Sequence, residues 1–82
     1  MKVSIELSLY PLSEEYIPQI IDFIHCLKQN KDVEMEVNDM STQIFGEYSV
    51  VMSLLTNEIE KTFKANNKAV VVMKILNVGL KG

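Results

Sequence analysis

Residues 32–46 read DVEMEVNDMSTQIFG, and this stretch decides the fold. Val33, Met35 and Val37 alternate with Asp32, Glu34, Glu36 and Asn38, the period of a strand with one apolar and one charged face. The charged face suits a sheet edge. Asn38-Asp39 is turn chemistry. A further strand runs from about Met40 to Phe45 and ends at Gly46. Upstream, Val3, Ile5, Leu7 and Leu9 alternate with Lys2, Ser4, Glu6, Ser8 and Tyr10 as a half-buried strand, which Pro11 stops.

Between these strands the spacing predicts a helix over about residues 14–29. Ser13 is its expected N-cap, Glu14 and Glu15 its first-turn acids, and Leu12 with Ile17 its hydrophobic staple. Ile17, Ile20, Ile21, Ile24 and Leu27, with Phe23 beside them, form the apolar stripe, and Asn30 is the terminator. Pro18 lies one turn inside and draws the start toward Tyr16 or Ile17. Downstream, Val51, Leu54, Leu55, Ile59 and Phe63 mark a second helix from Glu47 to Ala65, ended by Asn66-Asn67. Ala69 to Val78 is almost continuously apolar, a strand expected to be covered on both faces. Strand–helix–strand–strand–helix–strand with short connections is the ferredoxin-like βαββαβ plan, an α+β sandwich. Its antiparallel sheet has the order 4-1-3-2, with both helices on one face. The chain of 82 residues reads as a single domain, 1–82.

In the last strand, if Val71, Met73 and Ile75 face the helices, then Val70, Val72, Lys74, Leu76 and Val78 face away. The apolar residues among these would form an exposed patch. The expectation is a homodimer or homotetramer that buries Val70, Val72, Leu76 and Val78.

Composition removes whole classes of function. Eight Lys, no Arg and eleven Asp plus Glu give a net charge of −3, which cannot neutralise a row of phosphates or hold a polybasic membrane contact. No run of 18 apolar residues and no signal-peptide pattern is present. A single cysteine, Cys26, excludes an internal disulfide and makes the cytoplasm the expected compartment.

Fold alone decides no function, but residue types test the fold's usual chemistries. Metal carriage needs two close cysteines. Phosphate-ester chemistry on this plan needs an Arg grip, and RNA recognition needs exposed aromatics with basic neighbours. None of these is provided. His25 and Cys26 are adjacent on a helix, 100° apart about its axis, and do not form a catalytic pair. The acids lack metal-ligand spacing, and the five Met residues read as packing. No catalytic residue, metal or cofactor is expected.

Two segments carry more than structure: Leu7-Ser8-Leu9-Tyr10-Pro11-Leu12 and Met40-Ser41-Thr42-Gln43-Ile44-Phe45-Gly46. The order 4-1-3-2 makes their strands antiparallel neighbours. Ser8, Tyr10, Ser41 and Thr42 then collect at one end of the sheet, near the start of the first helix, where hydroxyls can orient a small polar ligand.

In SLYPL at residues 8–12, MSTQIFG at 40–46 and VVMKILNVG at 71–79, the sequence resembles the family of small thiamine- or hydroxymethylpyrimidine-binding proteins. The resemblance spans nearly the whole chain. It implies a ferredoxin-like domain that binds thiamine or its pyrimidine part without catalysis. Single-domain members assemble from separate subunits, and tandem members pack two domains in one chain. Where members often carry a Cys-Pro-Gly-like tail, this chain has Leu80-Lys81-Gly82. Against such a ligand, Ser8, Ser41 and Thr42 suit the pyrimidine edge. Tyr10 suits the thiazolium cation, and Glu6, Asp39 and Glu47 are candidate counter-charges. The sequence leaves open which hydroxyls share a sheet face, because a one-residue slip exchanges the faces. Two other classes stand beside this reading: a regulatory domain sensing another small metabolite such as an amino acid, and a small enzyme with pockets between subunits.

Overall fold

The structure, a computed structural model, describes residues 1–65 and 68–81. The element order is β1 (Lys2–Pro11), α1 (Tyr16–Lys28), β2 (Glu34–Val37), β3 (Thr42–Glu47), α2 (Tyr48–Ala65) and β4 (Ala69–Leu76). All strand pairs are antiparallel, and the sheet order is β2-β3-β1-β4, the expected ferredoxin-like arrangement. The Asn66-Asn67 terminator lies outside the described residues.

Alternation in β1 sets the core. Val3, Ile5, Leu7 and Leu9 are buried under the helices with Phe23, Leu27, Ile44, Val51 and Leu55. Val3 stands opposite Gly46, Ile5 opposite Ile44 and Leu7 opposite Thr42, so these pairs share the helix-side face. Gly46 sits close to α2: a Cβ on it would lie 3.1 Å from Val51 Cγ2, so that side chain would have to give by a few tenths of an ångström. Ser4, Glu6, Ser8 and Tyr10 stand opposite Leu76, Lys74, Val72 and Val70 on the open face.

Several local expectations are corrected. Helix α1 begins at Tyr16 with Glu15 as N-cap, and no side chain caps it. Ser13 instead accepts a hydrogen bond from Gln19 Nε2 at 3.2 Å. Pro18 explains the shift. A start at residue 14 would require its missing N–H and drive its ring into the Glu14 carbonyl, whereas at the third helical position that N–H is not needed. Glu14 and Glu15 consequently precede the first turn, and Leu12 and Ile17 are exposed rather than stapled. Phe23 and Leu27 are buried and Ile20 packs half-buried against the core, with Ile17 and Ile21 exposed to the side of this stripe. In α2, Val51 and Leu55 are buried and Phe63 is exposed.

Strand β3 starts at Thr42 because Asn38 Oδ1 accepts the N–H groups of Met40 and Ser41, at 2.8 and 2.9 Å, and keeps both in the turn. Strand β4 stops at Leu76. The chain then crosses the open face over β1. Ser4 Oγ donates to the Val78 carbonyl at 2.7 Å and accepts from Leu80 N–H at 2.9 Å. Lys81 pairs with Glu36 of β2 and lies 5.9 Å from the Phe45 ring centroid. This segment buries Ser4 to 6% exposure and Phe45 to 5%, although both belong to the face without helices.

Candidate functional site

At the Leu9–Leu12 end of β1 a groove of about 450 Å³ opens between β1, the β2–β3 turn and α1. Ser8, Tyr10, Asp39, Ser41 and Thr42 all line it. Two features build this end of the sheet. The Asn38 turn fixes residues 39–41, with the Asn38 N–H returning to the Ser41 carbonyl at 3.1 Å. The Leu12 N–H donates to the Lys68 carbonyl at 3.0 Å and holds the end of β1 against the start of β4.

The register resolves which hydroxyls share a face. Thr42, opposite Leu7, belongs to the helix side and is 5% exposed. Ser8 and Tyr10 belong to the open side, where Tyr10 is 52% exposed. Ser8 Oγ donates to the Met40 carbonyl at 3.3 Å. Ser41 Oγ donates to Glu6 Oε2 at 3.2 Å, while Lys74 Nζ reaches Glu6 Oε1 at 2.8 Å. The groove thus wraps the end of the β1–β3 seam, with Thr42 on its apolar inner side and Ser8, Tyr10 and Ser41 toward the open face.

Glu6 stands one step inward, opposite Gln43 and Lys74, and joins the group through Ser41. The hydrogen bonds from Lys74 and then Ser41, with the Lys74 charge, hold its carboxyl below the usual carboxylate value. The same carboxylate raises the Lys74 ammonium above its ordinary value. Glu47 is not brought to this end. It stands opposite Lys2 at the other end of the ladder, where the α-amino group of Met1 contacts it at 2.9 Å and lowers its pKa by hydrogen bonding and charge.

Sequence reasoning did not assign Tyr16, Ile20 and Ile24 to this groove, although all three line it from α1. It read Asn38 as turn chemistry alone and missed its hold on the Met40 and Ser41 amides.

The model of the family described as thiamine-binding protein matches residues 5–77, which include every groove residue named here. The chain belongs to this family. Family membership and the ferredoxin-like fold agree with the resemblance carried by SLYPL, MSTQIFG and VVMKILNVG. No curated protein sequence matches the chain.

Three solved structures share the fold. Protein SP2199 from Streptococcus pneumoniae is 25% identical with a TM-score of 0.78, over 98% of this chain and 90% of that one. Protein MJ1052 from Methanocaldococcus jannaschii is 22% identical with a TM-score of 0.81, over 99% and 84%. A Thermotoga maritima protein named for thiamine biosynthesis or salvage is 16% identical with a TM-score of 0.75, over 99% and 90%. Among the described residues no helix is long and apolar enough to cross a membrane.

Proposed function

We propose that the chain binds thiamine or its hydroxymethylpyrimidine part without catalysing a reaction, as a cytoplasmic homodimer or homotetramer. The observation that carries this reading is the groove at the β1–β3 end, where hydroxyls, an aromatic ring and a carboxylate gather in a member of a thiamine-binding family. Hydroxyls both donate and accept, which suits an aminopyrimidine with ring acceptors and an exocyclic donor. In this proposal Ser8, Ser41 and Thr42 meet the pyrimidine, and Tyr10 lies against the thiazolium. Asp39 and Glu6 supply negative charge for the cation. Glu47, held by the Met1 amine, is left out of the ligand set.

The oligomer is supported by the open face. Val70, Val72, Leu76 and Val78 are each 44–53% exposed in the single chain and line one side of β4 and its continuation. A second copy covering them removes an apolar patch from water. The single cysteine supports the cytoplasmic assignment. Calorimetric titration of the purified chain with thiamine and with hydroxymethylpyrimidine tests the proposal, and absence of heat with both would refute it.

A further inference from the structure

We infer that the outer side of α1, centred on Ile17 and Ile21, docks against the same side of α1 in a second copy of the chain, the two helices antiparallel about a two-fold axis. This goes beyond the contact proposed for the open sheet face and does not depend on it.

Helix α1 carries more apolar surface than its own core uses. Phe23 and Leu27 are buried and Ile20 packs against the core, yet Ile17 and Ile21 are 56% and 58% exposed. Exposed helix faces are normally polar. Helix α2 follows that rule: between Ser49 and Lys61 its exposed residues are Ser49, Ser53, Thr56, Asn57, Glu60 and Lys61. Helix α1 breaks it. Ile17, Ile21 and the half-buried Ile24 repeat at spacings of four and three, the seam along which one helix packs on another. Ile17 and Ile21 point roughly 100° around the helix from the core stripe. The core stripe points at the sheet, so the seam points sideways and stays free when the open sheet face is covered.

Charge names the occupant. The segment leading into α1 is acidic, with Glu14 and Glu15, and the far end is basic, with Lys28 and Lys31. All four are exposed, and among the described residues none has an ion-pair partner in its own chain. Glu14 precedes Ile21 by seven residues and Lys28 follows it by seven. A two-fold axis at Ile21 therefore sets the acidic start of each copy beside the basic end of the other, with isoleucine against isoleucine between them. A parallel pairing sets acid beside acid and base beside base, which is repulsive. The surface is thus complementary to itself, and only in the antiparallel sense. Joined with the contact on the open sheet face, this second contact selects the tetramer from the two assemblies proposed above.

The test is light scattering at micromolar concentration on wild type, Ile21→Glu and Val72→Glu. Wild type is expected to be a tetramer, and Ile21→Glu to halve its mass. A wild-type dimer that Ile21→Glu splits and Val72→Glu leaves whole supports the α1 contact and refutes the open-face one. Ile21→Glu with the mass of wild type overturns the inference. Ile21 is exposed, so its replacement leaves the core intact, and circular dichroism checks this. Lys28→Glu is expected to raise the dissociation constant of the same contact about fivefold, and Lys28→Glu combined with Glu14→Lys to restore it. A combined variant that dissociates as readily as Lys28→Glu alone overturns the antiparallel arrangement. Neither Ile17 nor Ile21 lines the groove, so thiamine titration of Ile21→Glu reports on that site separately.

Discussion

Thr42 stands directly opposite Leu7 in the β1–β3 ladder and so turns its side chain to the helix side, while Ser41, one residue earlier, reaches the Glu6 carboxylate on the open side. The step from Ser41 to Thr42 divides the candidate hydroxyls between the two sides of one groove. Thr42 lines the groove together with Leu7, Leu9, Ile20 and Ile24 as well as Ser8 and Ser41.

Thr42→Val keeps shape and β-propensity and removes the hydroxyl. An unpaired ligand group costs about 1–3 kcal/mol, so thiamine or pyrimidine affinity is expected to fall roughly 5- to 100-fold. Oligomer size should not change. Calorimetry on wild type and variant checks this, and equal affinities would remove Thr42 from the site.

Val72→Glu places a charge in the centre of the exposed β4 face, opposite Ser8. In an interface above about 1,000 Å², a buried unpaired carboxylate is expected to dissociate the assembly. Multi-angle light scattering is the measurement. Wild type should run as a dimer or tetramer at micromolar concentration and the variant as a smaller species. A monomeric wild type contradicts the proposal.

Ser4→Ala removes both hydrogen bonds that clip residues 78 and 80 across β1. Leaving the Val78 carbonyl and Leu80 N–H without this partner should destabilise the fold by about 1–3 kcal/mol. Urea denaturation reports it as a lower midpoint with little change in slope. An unchanged midpoint would mean that the crossing segment contributes nothing to stability.

The Glu6–Lys74 pair gives a pH signature. The Glu6 carboxyl is lowered in the folded chain, so its contribution is present above the ordinary carboxylate value of about 4.3 and is lost as pH falls through the folded value. Lys74 is raised, so its contribution is present below the ordinary value of about 10.4 and is lost as pH rises through the folded value. The stability difference between wild type and Glu6→Gln is therefore expected to be flat between about pH 6 and pH 9 and to shrink in acid. Urea midpoints across this range measure it. A difference that grows as pH falls would contradict the assignment.

The sheet was legible in the sequence because alternation is local. Val3, Ile5, Leu7 and Leu9 announce one face without reference to the rest of the chain, and Asn38-Asp39 announces the hairpin. The start of α1 was less legible, because Ser13 and Pro18 point to different places and the backbone geometry of proline prevails. Register was not legible, since a one-residue slip leaves the β1 and β3 patterns intact while exchanging Ser41 for Thr42. The crossing of residues 77–81 had no signal at all. Ser4 and Val78 are 74 positions apart, and no periodicity relates a serine in the first strand to a carbonyl beyond the last. Glu47 is a candidate counter-charge by its acidity alone, but the six-residue strand β3 carries it to the opposite end of the sheet.

The central claim is that the β1–β3 groove holds thiamine or its pyrimidine part. Isothermal titration of the wild-type chain with thiamine and with hydroxymethylpyrimidine, each repeated on Thr42→Val, tests it most directly. The account predicts saturable binding of at least one of the two by wild type, weakened roughly 5- to 100-fold in the variant. No heat with either compound, or binding that Thr42→Val leaves untouched, would contradict it.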